Sequence, residues 1–202
     1  MNEIALKYLV KNDAVLKQVI EEFGKPYIPS RPEGFETLCK LILEQQVSLA
    51  SAKACFLKVK DLIGIVSPST IVKTTEEELK SVGVSRQKCT YLKALANTVL
   101  DKKIDLENLK NLTKKEVKTQ LTNIKGIGNW TAEVYLQFAL SHPNIIPLGD
   151  IAVTNSIKEL YKIKDKDKIE ELTQKWSPYK SMATYILWHY YLETRNRKPL
   201  IY

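Results

Sequence analysis

The sequence predicts an all-α protein of about ten short helices. Apolar residues recur at helical spacing along nearly all of its 202 residues. Residues that cap helix starts, and the glycines and prolines that end or interrupt helices, punctuate those runs at short intervals. No stretch alternates apolar and polar side chains at period two for long enough to build a sheet.

Each element follows from these signals. Asp13 can cap a helix running to about Phe23, with Val15, Val19 and Ile20 on one face and Gly24 as its stop. Pro26, Pro29 and Pro32 then mark an irregular connector. Phe35, Leu38 and Ile42 open a second helix, and Ser48 caps a third that runs to about Leu62. Pro68 begins a short helical turn. Thr75 is followed by Glu76, Glu77 and Glu78, three acids in the positive first turn of a helix that Gly83 ends. Ser85 opens a helix with Cys89, Leu92, Leu95 and Ala96 inward, and Thr113 caps one with Val117 and Leu121 at i,i+4. Further helices start near Asn129, Asp150, Lys166 and Lys180, and residues 162–168 read as a solvated, charged turn.

Bulk properties narrow the class. There are 31 basic and 23 acidic residues, a net charge of +8. A surface of that sign attracts polyanions by Coulomb steering and counterion release, although a generally lysine-rich protein would share it. No apolar run approaches the roughly 20 residues of a membrane span, so no membrane partner is expected. The opening segment carries Glu3 and Lys7 among its apolar residues, a poor signal peptide, and a cytoplasmic location is expected. Cys39, Cys55 and Cys89 are too few for a four-thiolate iron–sulfur cluster and too widely spaced for zinc or a disulfide framework; three buried thiols are expected. His142 and His189 stand apart in sequence from any carboxylate or cysteine cluster, which argues against zinc or iron.

The most informative segment is Leu121–Ala132, LTNIKGIGNWTA. One helix ends near Leu121 and another begins near Asn129, with two glycines in the tight turn between. Glycine permits positive φ and the close approach of another backbone. The amides of Gly126, Gly128 and the next helical turn would form an anion site at a helix N-terminus, with Lys125 adding charge. One phosphate of a DNA strand fits such a site without being read for sequence. A Cβ at Gly126 is then expected to disturb phosphate contact alone, weakening binding to every duplex alike. A plain connection between two helices, in which the glycines only permit the turn, stays open.

That segment resembles the hairpin of the helix-hairpin-helix (HhH-GPD) DNA glycosylase superfamily, which is named for the hairpin, a Gly/Pro-rich loop and an aspartate. The loop and aspartate follow at Pro147–Val153, PLGDIAV. Upstream, PEGFETLCKLILEQQVSLASA and GVSRQKCTYLKALA resemble the segments that precede the hairpin. Downstream, WSPYKSMATYILW resembles the closing helix of the 3-methyladenine DNA glycosylase II branch. The likeness runs from about residue 13 to 195. It implies two helical lobes with the hairpin near their junction: residues 33–142, and residues 1–32 together with 143–202. It further implies a monofunctional enzyme, acting as a monomer on double-stranded DNA, that flips out and excises alkylated purines by hydrolysing the N-glycosidic bond.

The chemistry agrees with the residues present. Breaking that bond develops positive charge on the sugar, and a fixed carboxylate stabilises it. By resemblance Asp150 is that carboxylate; its position alone reads equally as a helix cap. Bifunctional relatives carry a Schiff-base lysine two residues past the second glycine, where this chain has Trp130. Trp130 and Trp188 match the pocket tryptophans of the branch, whose faces attract electron-poor alkylated bases, though either could belong to the core. Val134 and Ile151 stand where that branch's best-known member has further pocket tyrosines. Gln46 matches the wedge that fills the space of the flipped nucleotide, and otherwise reads as a surface glutamine at a turn. The resemblance also implies a monovalent cation on the main-chain carbonyls of Thr122, Ile124 and Gly126, with no other cofactor. A glycosylase for a deaminated, oxidised or mismatched base, and a non-catalytic DNA-binding module, remain open.

Overall fold

A computed structural model describes residues 2–198. Among them are twelve α-helices, one turn of 3-10 helix at Asn108–Asn111, and no strand. The helices are α1 (Asn2–Asn12), α2 (Ala14–Phe23), α3 (Phe35–Glu44), α4 (Leu49–Ile63), α5 (Pro68–Lys73) and α6 (Glu76–Ser81). They continue with α7 (Arg86–Leu100), α8 (Lys114–Thr122), α9 (Asn129–Phe138), α10 (Ile151–Tyr161), α11 (Lys166–Gln174) and α12 (Lys180–Glu193). The expected tally of about ten falls short chiefly because of α1, where Ala5, Leu6 and Leu9 are buried at helical spacing.

Local chemistry starts most of these helices. Asp13, Ser48, Ser67, Thr75, Ser85, Thr113, Asp150 and Asp165 each accept a first-turn amide on the side chain. The Thr75/Glu78 and Thr113/Glu116 pairs close reciprocal capping boxes, and those hydrogen bonds hold both glutamates below the ordinary carboxylate pKa.

The chain divides into two compact units. Arg31–Leu140 form one, and, among the described residues, 2–30 together with 141–198 form the other. In the first, α3 packs against α4, α7 and α9, and α5 against α7. Leu38, Leu41, Ile42, Leu92, Leu95 and Ala132 are fully buried there, the leucines and isoleucine contributing about 1.5–3 kcal/mol each. The Tyr135 hydroxyl accepts the Gly34 amide at 2.8 Å and fixes the entry into α3.

In the second unit α12 is central and packs against α1, α2 and α10. Its residues Ser181–Leu187 are buried without a break, the mark of a helix surrounded on all sides. Asp13 organises the far end. Its Oδ1 caps α2 through the amides of Val15 and Leu16 at 3.0 Å, and its Oδ2 accepts the Tyr161 hydroxyl and the Trp176 indole N–H, each at 2.8 Å. Burial, then the adjacent Asp13 carboxylate, pushes the Tyr161 phenol well above its usual pKa, so it stays a donor.

The cysteines are free thiols, but only Cys39 and Cys89 are buried. Cys55 is half-buried, which corrects the expectation for it.

Candidate active site and nucleic-acid interface

Asp150 stands at the head of α10. Its own amide donates to the Pro147 carbonyl at 2.9 Å, so the Pro147–Asp150 turn delivers it there. Its Oδ1 accepts the amides of Ala152 at 2.9 Å and Val153 at 3.1 Å. A third donor, the Trp188 indole N–H, reaches the same oxygen at 3.1 Å from α12. Asp150 is therefore a helix cap, and the capping bonds fix the orientation of a half-buried carboxylate. The next residue, Ile151, is 72% exposed, so the aspartate lies at an accessible edge of its unit. Trp188 is half-buried, with the Tyr185 ring 6.3 Å away; the sequence leaves it between a pocket face and the core, and the indole donor comes only with the fold.

The glycine hairpin lies in the Arg31–Leu140 unit. The Ile124 amide closes onto Leu121 and the Ile127 amide onto Ile124, at 3.1 and 3.0 Å, while both isoleucine side chains are buried. Lys125 and Gly128 are exposed. The two glycines differ. Gly126 has φ +93°, and a Cβ on it would stand 2.1 Å from Cγ of Tyr91. Glycine is required there for backbone and for space. Gly128 has φ −93° and ψ −178°, ordinary extended backbone, and nothing lies within 4 Å of where its Cβ would be. The expectation of positive φ is thus corrected for Gly128. The expectation that a Cβ at Gly126 would touch phosphate contact alone is also corrected, because the Tyr91 ring would have to move. Gly128 precedes α9 and brings no side-chain cap, so the first-turn amides form a helix N-terminus able to accept an anion. Trp130 follows on that turn, half-buried, with Val134 and Phe138 of the same stripe buried behind it.

Gln46 is exposed and takes φ +59°, left-handed backbone that a side chain rarely adopts. Gln45, which the sequence reading did not single out, is half-buried. Its Nε2 donates to the Gly126 carbonyl at 2.8 Å and to Thr131 Oγ1 at 3.0 Å. This bears on the carbonyls expected to hold a cation. The Gly126 oxygen already accepts from Gln45 and the Ile124 oxygen from the Ile127 amide. A carbonyl has two lone pairs, so each of these oxygens can accept one more partner, and the residues present fit a monovalent ion.

The histidines serve local structure. His142 Nδ1 accepts the Asn144 amide at 3.2 Å. His189 Nε2 meets the Phe23 carbonyl at 2.9 Å, and its Nδ1 lies 3.8 Å from Glu193. Among the described residues no group of three or more His, Cys, Asp or Glu is placed to hold a metal. No helix among them is long and apolar enough to cross a membrane.

Comparison with known proteins gives a consistent picture. The model of the HhH-GPD superfamily base excision DNA repair proteins matches residues 39–179. A DNA-3-methyladenine glycosylase of Bacillus subtilis is 28% identical over 89% of this chain and 64% of its own length. The crystal structure of the Bacillus halodurans DNA-3-methyladenine glycosidase superposes with a TM-score of 0.82 at 30% identity, covering 95% of this chain and 91% of that one. The Schizosaccharomyces pombe 3-methyladenine DNA glycosylase, solved with abasic DNA, superposes at 0.83 with 26% identity over 91% and 94%. The chain spans less than two thirds of the length of two Bacillus subtilis relatives, 58% and 64%.

Proposed function

The chain belongs to the HhH-GPD superfamily of base excision DNA repair proteins, and from that premise we propose that it is a monofunctional glycosylase that excises alkylated purines from double-stranded DNA. The observation that carries the reading is the placement of Asp150: a carboxylate at an accessible helix head, held in one orientation by two amides and an indole N–H.

The residues divide the work as follows. The hairpin amides beyond Gly126 and Gly128, with Lys125, grip one phosphate and make binding independent of sequence. A monovalent cation on the carbonyls of Thr122, Ile124 and Gly126 would add positive charge beside that phosphate. Gln46 enters the stack where the damaged nucleotide leaves it. Trp130 and Trp188 each offer an aromatic face to an electron-poor base. The bond from C1′ to the purine nitrogen then breaks, and its electron pair leaves with the base. A base alkylated to a cation departs neutral and needs no proton. The Asp150 carboxylate stabilises the cationic C1′, and the oxygen of a water molecule bonds to that carbon, its proton passing to the carboxylate. No amine stands at position 130, so hydrolysis ends with an intact abasic strand.

Incubation with methylated duplex DNA should release free 3-methyladenine or 7-methylguanine, and borohydride should trap no covalent adduct. Binding without release would leave a non-catalytic DNA-binding module. Release of only a deaminated, oxidised or mismatched base from a lesion panel would move the substrate class. A trapped adduct would make the enzyme a lyase.

A further inference from the structure

The corner between α3 and α4 has a stem and a tip that the structure treats differently. The stem is Leu43, Glu44 and Gln45, and each is tied to another part of the Arg31–Leu140 unit. The Leu43 carbonyl accepts the Lys88 ammonium at 2.6 Å, from α7. Glu44, its side chain only 3% exposed, pairs with Arg31 at 2.9 Å. Gln45 donates both its bonds to the hairpin, at Gly126 and Thr131. The tip is Gln46–Ala50, all exposed, with Gln46 in left-handed backbone and the apolar Val47 and Leu49 at 47% and 43% exposure. An anchored stem beneath an exposed apolar tip in an unfavourable backbone conformation is a preset projection, and the amide that binds it to the phosphate-gripping turn belongs to Gln45.

We infer that Gln45 is a positioning residue: its carboxamide locks the corner carrying Gln46 to the hairpin, so that capture of the DNA backbone fixes where and how far the tip enters the base stack. The inference rests on the DNA-binding reading above and reaches beyond it. Both bonds leave one nitrogen and span 81 and 86 residues of sequence, so two segments that would each touch DNA move as one body. Insertion then needs no search by the corner after the phosphate is bound, and the wedge meets the stack in a fixed register with the hairpin. Without the carboxamide the hairpin would still bind phosphate, but the tip would be free to stay out of the helix.

The test reads insertion without relying on excision. A duplex carries a tetrahydrofuran abasic analogue with 2-aminopurine as its neighbour, and saturating protein should raise the 2-aminopurine fluorescence as the tip unstacks it. Gln45→Met removes both donors and adds no charge beside the hairpin. Affinity for the duplex should stay near wild type while the inserted population falls at least about tenfold, the size of one of the two lost hydrogen bonds expressed as an equilibrium. Gln46→Ala should show the same loss, and combining it with Gln45→Met should add little, as expected for residues acting as a unit. A full fluorescence rise in Gln45→Met with unchanged affinity would overturn the inference. So would a loss that follows only a lowered thermal midpoint, or a wild-type protein that binds and never unstacks the reporter. Failure of base release in a protein that still inserts its tip would count against the glycosylase reading alone.

Discussion

Asp13 and Asp150 begin helices in the same way, each with one oxygen on two amides of the first turn and a tryptophan indole donating to the same carboxyl group. What surrounds them differs. Asp13 engages both oxygens: the amides hold Oδ1, while Tyr161 and Trp176 hold Oδ2, and Trp176 is among the most buried side chains of its unit. At Asp150 both amides and the indole converge on Oδ1, and the neighbouring side chain, Ile151, faces solvent. The local sequence rule for a helix cap is therefore silent about use. A capping aspartate enclosed by tyrosine and tryptophan is a structural pin. The same cap at an accessible helix head presents a carboxylate whose direction the protein has already fixed, and that preorganisation is what electrostatic catalysis requires.

The largest effect should come from Asp150→Asn. The amide oxygen can still accept the α10 amides, so folding and abasic-DNA binding should persist. The charge is gone, and single-turnover release of the base should fall by roughly two to three orders of magnitude or more. Near-normal release would reduce Asp150 to a second Asp13.

Asp13→Ala should give the opposite profile. It removes a cap worth about 1 kcal/mol and strands the Tyr161 hydroxyl and Trp176 N–H, at about 1–3 kcal/mol for each buried donor. A stability loss of about 3–7 kcal/mol is expected from urea unfolding, with release per folded molecule unchanged. Loss of chemistry without loss of stability would erase the distinction between the two aspartates.

Why the sequence conveyed one half of this comparison and not the other is a matter of range. Caps are local, and Asp13, Ser48, Thr75, Thr113 and Asp150 all start helices where their sequence neighbours place them. The α1 helix carries its periodicity openly in Ala5, Leu6 and Leu9, but the same stretch also has the look of a poor leader, which hides its helix face. Gly126 and Gly128 look alike in sequence. The positive φ of Gly126 and the Tyr91 ring, 35 residues upstream, make the first of them obligatory. Gln45 is joined to Gly126 across 81 residues and Trp188 to Asp150 across 38, and no periodicity or spacing encodes such pairs. Resemblance to a family supplied the role proposed for Asp150. The fold supplied what holds it.

The smallest and most discriminating comparison uses one chemical change at both sites. Trp188→Phe and Trp176→Phe each keep an aromatic ring and delete an indole N–H that donates to a capping aspartate, at 3.1 and 2.8 Å respectively. A hydrogen bond to a charged group contributes about 1.5–3 kcal/mol. At Trp176 that amount should appear in the unfolding midpoint, with base release untouched, since Asp13 has no part in the chemistry. At Trp188 the two α10 amides still hold the carboxylate, so unfolding should shift less, and the loss should appear as roughly a tenfold fall in the rate of release. Because the ring stays, ground-state binding of the flipped base should change little, which separates the donor from the aromatic face. Should Trp188→Phe lower the midpoint as Trp176→Phe does and leave the rate alone, the bond at Asp150 belongs to the scaffold, and the orientation of the Asp150 carboxylate must be credited to the two amides.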